Sequence, residues 1–170
     1  MAKKNKRKYK LPGEYSQETN SEEAHQKDVC CWARQTAFRN KDNPQLSKLK
    51  FLSGSANGMS THVAVRMKMV EAGMNKGFPD LHLPVVNKIV IPSPDDSIAP
   101  DIAILKHSSL YIEMKLAKRR NHKNGGLDDE QVVWRDFLIS EGHAYSLCYS
   151  WEESRDVLLA YVTQTGIYKC

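Results

Sequence analysis

No apolar run in these 170 residues approaches the roughly 18 needed to cross a bilayer, so a membrane span is not expected. Cysteine is scarce and poorly spaced for metal. Cys30, Cys31, Cys148 and Cys170 form neither a C-x-x-C pair nor any zinc-ligand pattern, which leaves a reducing, cytoplasmic setting as the best fit. Basic residues crowd Met1 to Lys10, but no apolar stretch follows them, so a secretory signal is not expected. No internal repeat is visible. The length suits one domain with a real core and is short for two.

What is present in excess is positive charge. The formal net charge is +5 and the pI about 9.0. Much of the excess sits in Lys3, Lys4, Lys6, Arg7, Lys8 and Lys10, and again in Lys115, Lys118, Arg119, Arg120 and Lys123. The first cluster reads equally well as a solvated tail. The second follows a short strand directly, and together they suggest a polyanionic partner.

Residues 1–20 are polar, contain Pro12-Gly13, and read as a basic flexible arm ahead of one domain over 21–170. Ser21 has the character of an N-cap, with Glu22 and Glu23 in the first turn of a helix running to about Arg39. Val29, Trp32, Ala33 and Thr36 share its apolar stripe, which also carries Glu22 and Gln26, whereas Glu23, Lys27 and Arg34 lie on the wet side. A strand is expected over Lys48 to Ser53, then a turn at Asn57-Gly58. A second helix is expected from Thr61 to Ala72, with Val63, Met67 and Val70 toward the core and Arg66 and Lys68 free to meet a phosphate. After Gly77-Phe78-Pro79-Asp80 a strand carries Leu81 and Leu83 on one face. Residues 85–100, with Pro92, Pro94 and Pro100, read as an insertion holding a short strand at Lys88 to Ile91. Ile102 to Leu105 and Leu110 to Lys115 are expected to pair as a β-hairpin. A helix from Asp128 to Ser140, with Val132, Val133 and Phe137 toward the core, a strand at Ala144 to Tyr149 and a helix from Trp151 to Tyr161 complete the chain.

The stretch Leu110-Tyr111-Ile112-Glu113-Met114-Lys115 carries the chemistry. Alternation sends Ile112 and Met114 to one face and Tyr111, Glu113 and Lys115 to the other. A carboxylate and an ammonium side by side can hold a divalent cation and a phosphate together. Taken alone, such a pair is more often an ordinary solvated Glu and Lys. With Glu22 and Asp80 it makes a set able to hold one or two Mg²⁺ ions and activate a water.

Residues 21–165 resemble the VRR-NUC family, virus-type replication-repair nucleases within the PD-(D/E)xK superfamily. The matching text is Glu22-x-x-x-Gln26 before Trp32-Ala33; Asn57-Gly58; Gly77-x-Pro79-Asp80-Leu81; Leu110 to Lys115; and Leu127-x-x-x-Gln131 with Trp134 and Gly142. Tyr149-x-Trp151-Glu152-Glu153 is similar to phage-encoded members. The resemblance implies an α/β fold with a central mixed sheet flanked by helices, the restriction-endonuclease-like PD-(D/E)xK core. It also implies Mg²⁺ or Mn²⁺ dependence and cleavage of structured DNA such as Holliday junctions or flaps, by a homodimer. Asp80, Glu113 and the Met114 backbone carbonyl would be metal ligands, Lys115 would orient or activate water, Gln131 would be an active-site polar residue, and Glu22 would be a helix carboxylate able to reach the metal. DNA would meet Arg66, Lys68, Lys118, Arg119, Arg120 and Lys123.

The interval from Asp80 to Glu113 is longer than the family's, so Pro100-Asp101 stands as a second Pro-Asp pair. Asp101 is the alternative metal ligand, and hairpin pairing around His107 would set it beside Glu113. The text around Asp80 favours Asp80. Two other functions compete with a structure-selective nuclease: a DNA-binding module that keeps the fold without cutting, and a sequence-specific restriction-type nuclease.

Overall fold

Side chains that satisfy orphan backbone groups punctuate this chain. The computed structural model describes residues 10–55, 63–91 and 102–164. In the expected arm, the described residues contain a short helix, α1 (Glu14–Glu18), docked on the longer α2 (Glu22–Arg39). The cause is Asp28, fully buried on α2, whose carboxylate accepts from the amides of Gly13 at 2.8 Å, Tyr15 at 3.2 Å and Ser16 at 2.8 Å. Three donors on one carboxylate fix the start of α1 against α2. The arm expectation is corrected for this part; residues 1–9 lie outside the described residues.

α2 begins at its expected cap, where Ser21 Oγ accepts from the Ala24 amide at 3.2 Å. The strand expected at Lys48 to Ser53 is instead a 3₁₀ helix over Leu46–Phe51, leading into β1 (Ser53–Gly54). Asn43 explains the change: its side chain accepts from the amides of Gln45 at 2.9 Å and Leu46 at 3.0 Å, starting a turn that competes with a strand. α3 (Val63–Glu71) follows, and β2 (Leu81–Leu83) comes next. Val63, Met67 and Val70, expected in the core, are 76%, 60% and 55% exposed. Periodicity gave α3 an apolar face without saying what covers it.

β3 (Asn87–Ile91) pairs antiparallel with β4 (Ile102–His107) as a separate two-stranded sheet. The hairpin expected between Ile102–Leu105 and Leu110–Lys115 is therefore not formed. β5 (Leu110–Met114) lies instead between β2, antiparallel, and β6 (Ala144–Cys148), parallel, in a four-stranded mixed sheet ordered β1-β2-β5-β6. The parallel pair needs a crossover, and α4 (Asp129–Ser140) lies within it. α5 (Trp151–Thr163) closes the described chain, capped by Ser150 Oγ on the Glu153 amide at 3.3 Å.

The principal core lies on one face of that sheet. Leu81, Leu83, Leu110, Ile112 and Met114 from β2 and β5 meet Val29 and Ala33 of α2, Leu49, and Leu158 and Tyr161 of α5. Each large aliphatic side chain buried this way contributes about 1.5–3 kcal/mol of transfer free energy. α4 packs against β6 and presents Gln131, Trp134 and Leu138 inward; Val133 and Phe137, expected inward, are 67% and 52% exposed. Among the described residues no helix is long and apolar enough to cross a membrane.

Candidate active site

β5 alternates as expected, yet both of its faces are buried. Leu110, Ile112 and Met114 enter the principal core, while Glu113 and the following Lys115 are 1% and 6% exposed. Two charged groups enclosed this way must satisfy each other. Lys115 Nζ donates to Glu113 Oε1 at 2.6 Å and lies 3.9 Å from Glu22 Oε2. Gln131 Nε2 donates to the same Glu113 oxygen, so Oε1 is fully engaged. Glu113 Oε2 is buried and has no hydrogen-bond partner.

Asp80 arrives through β2. Antiparallel register sets Leu81 opposite Ile112, and one step further places Asp80 beside Glu113. Its Oδ2 accepts from the Met114 amide at 2.8 Å. Asp101 lies outside the described residues, and the hairpin that would carry it to Glu113 is absent because β4 pairs with β3.

The loop before Asp80 is held from α4. Gly77 has φ +79°, and a Cβ there would come within 2.7 Å of the Glu130 carbonyl carbon, so only glycine lets the loop lie against the start of α4. Trp134 Nε1 donates to the Lys76 carbonyl at 3.0 Å, and the Phe78 ring sits edge-on to Trp134 and to Tyr111. Gln131 belongs to the same clamp. Its Oε1 accepts from the Asp128 amide at 3.1 Å in a reciprocal capping box, so one side chain both starts α4 and steadies Glu113.

From the other side, Gln26 donates to the carbonyls of Asp80 at 2.9 Å and Ser55 at 3.2 Å, tying α2 to the β1–β2 edge. Gln26 is part of the matching text, and its place beside Val29 and Ala33 on the inward stripe of α2 is the signal for this role. Glu22 accepts from the Leu116 amide at 3.3 Å and faces Lys115, so here it serves the lysine and the following turn.

Electrostatics follow from this enclosure. Burial pushes the Asp80 carboxyl up to about 6, opposed by the Met114 amide and Lys115. Burial and the neighbouring Asp80 push Glu113 up to about 8, again opposed by Lys115. Two like charges in one dry site resist ionising together, and a cation between them removes that resistance. The donor set also suits a hard cation. Asp80 and Glu113 each keep one oxygen outside the hydrogen bonds described above, and at Glu113 the remaining oxygen is buried without a partner. Among the described residues no three His, Cys, Asp or Glu side chains converge on one point, so these two carboxylates would need backbone oxygen and water to complete a coordination shell.

The basic loop after β5 divides in two. Arg120 is committed to the protein, paired with Glu153 and stacked 4.2 Å from the Tyr149 ring centre. Lys118, Arg119 and Lys123 are exposed, as is Lys68 on α3. The side chain of Arg66 lies outside the described residues. Gly125, at φ +68°, turns the loop where a Cβ would fall 2.5 Å from the Tyr149 hydroxyl. Sequence reasoning missed Tyr145, which alternation places on the Glu113 face of β6 and which is 3% exposed.

No family model and no curated protein matches this sequence. Among solved structures, a chain described as a VRR_NUC domain protein matches 88% of this chain and 93% of its own length, with a TM-score of 0.53 and 17% identity. At that identity the likeness concerns the fold: a mixed sheet with flanking helices, arranged as in a VRR_NUC domain protein.

Proposed function

We propose that this protein is a metal-dependent nuclease that hydrolyses phosphodiester bonds in DNA. One observation carries the reading: Glu113 and Lys115 are buried together beside the half-buried Asp80, with a buried carboxylate oxygen left without a partner. Asp80 and Glu113, with the Met114 carbonyl, would hold Mg²⁺ or Mn²⁺, which when bound supplies Lewis acidity and an acidified water. Lys115, held between Glu113 and Glu22, would orient the attacking water and offset charge building on the phosphoryl oxygens. Gln131 and Lys115 both donate to Glu113 Oε1, which aims the other oxygen toward the cation. Exposed Lys118, Arg119 and Lys123 follow the catalytic strand and would take backbone phosphates.

Branched DNA is the substrate we propose, supported by the resemblance of the motif text and by the shared fold. Two symmetric nicks across a junction need two sites, and a two-fold dimer supplies them. The exposed apolar face of α3, with Val63, Met67 and Val70, is a surface available for such a contact. The test is incubation with duplex, flap and four-way-junction DNA, with and without Mg²⁺. Metal-dependent cleavage favouring branched forms is expected. Binding without cleavage in Mg²⁺ and in Mn²⁺ would make the protein a DNA-binding module instead.

A further inference from the structure

Among the described residues, two buried side-chain polar atoms have no hydrogen-bond partner: Glu113 Oε2 and Tyr145 Oη. They belong to neighbouring strands. Parallel register sets Tyr111 opposite Tyr145 and Glu113 opposite Leu147, so Tyr145 and Glu113 share a sheet face as diagonal neighbours. Burial, and after it the Glu113 carboxylate, pushes the phenol above its ordinary range.

The two atoms are chemically complementary. A phenol offers one proton, and the Glu113 carboxylate, ionised when a cation is held beside it, only accepts. The charge of Arg135 also reaches Tyr145, but a guanidinium has no acceptor, and this one is turned to Asp136 at 2.8 Å. The Asp80 charge acts on Tyr145 more weakly than that of Glu113. Phenylalanine would fill the same space without enclosing an unsatisfied hydroxyl, so packing alone gives no reason for a tyrosine here. No hydrogen bond joins them directly, and a bridging water is the group that would satisfy both.

We infer that Tyr145 is a positioning residue: its hydroxyl donates to an enclosed water, and that water donates to Glu113 Oε2, fixing the oxygen offered to the cation. Carboxylate oxygens have lone pairs for both, and outer hydrogen bonds of this kind hold metal ligands in place. The inference rests on the proposed metal-dependent reading and adds Tyr145 to its residues.

Tyr145→Phe removes one oxygen atom and leaves the packing. Mn²⁺ is titrated into the metal-free wild type and the variant, followed by calorimetry and by the shift in melting temperature. The expected result is an unchanged or raised metal-free melting temperature with about tenfold weaker Mn²⁺ binding. Equal Mn²⁺ affinity in the two proteins overturns the role of Tyr145 and leaves the metal reading intact. No Mn²⁺ binding by wild type removes both. Should Tyr145→Phe fail to fold, a high-resolution crystal structure of the wild type decides. An ordered water within hydrogen-bond distance of both oxygens supports the inference, and its absence overturns it.

Discussion

The two faces of β5 are built on opposite terms. Toward α2 and α5, Leu110, Ile112 and Met114 join an apolar core in which every neighbour gains from burial. Toward α4, the same strand encloses Glu113 and Lys115, with Asp80 alongside, and leaves one Glu113 oxygen without a partner. The first face supplies stability and the second consumes some of it. Holding two carboxylates side by side away from water is affordable because the other face of the strand anchors it.

The sharpest way to break that contrast is to remove chemistry without removing packing. Asp80→Asn and Glu113→Gln should each reduce DNA cleavage to background while DNA binding persists, read by parallel cleavage and gel-shift assays. Normal cutting by Asp80→Asn, with Asp101→Asn inactive, would move the metal site to the second Pro-Asp pair.

The opposite operation removes packing and spares chemistry. Ile112→Ala, beside Glu113 but on the core face, should lower stability by about 2–5 kcal/mol, measured by urea unfolding. Folded molecules should still cleave in excess Mg²⁺.

A third measurement sharpens the contrast through pH. Asp80 and Glu113 sit at about 6 and about 8 in the fold, against roughly 3.9 and 4.3 in an unfolded chain. Between those values the native state holds protons that the unfolded state has released, so metal-free stability falls as pH rises from about 4 through 8. Melting temperatures across that range should decline, and Mn²⁺ should restore most of the loss at pH 8. Asp80→Asn combined with Glu113→Gln should flatten the profile. A flat profile in the wild type would show that the two carboxyls are not held this way.

The smallest effect belongs to the surface. Replacing Lys118, Arg119 and Lys123 with alanine should weaken DNA binding uniformly across sequences and reduce the salt slope by up to about 3. Arg120, committed to Glu153 and Tyr149, should contribute less to binding and more to folding. An unchanged slope would place the DNA elsewhere.

Much of this molecule was written locally. Ser21, Asp128 and Ser150 cap the three longest helices by hydrogen bonds that span three residues, so short stretches of text suffice to locate them. The alternation of Leu110 to Lys115 likewise separated the apolar face from Glu113 and Lys115 without knowledge of neighbours. Partnership was decided only in three dimensions. β5 turned from the adjacent β4 to β2 and β6, because pairing depends on which strands share a core, and sequence proximity is a poor guide to that. That choice set Asp80 beside Glu113. It also set Tyr145 of β6 on the Glu113 face of the sheet, and on α4 Leu138 went in while Val133 and Phe137 stayed out. Periodicity fixes how side chains are distributed around an element, whereas burial depends on what packs against it, which only the tertiary structure supplies.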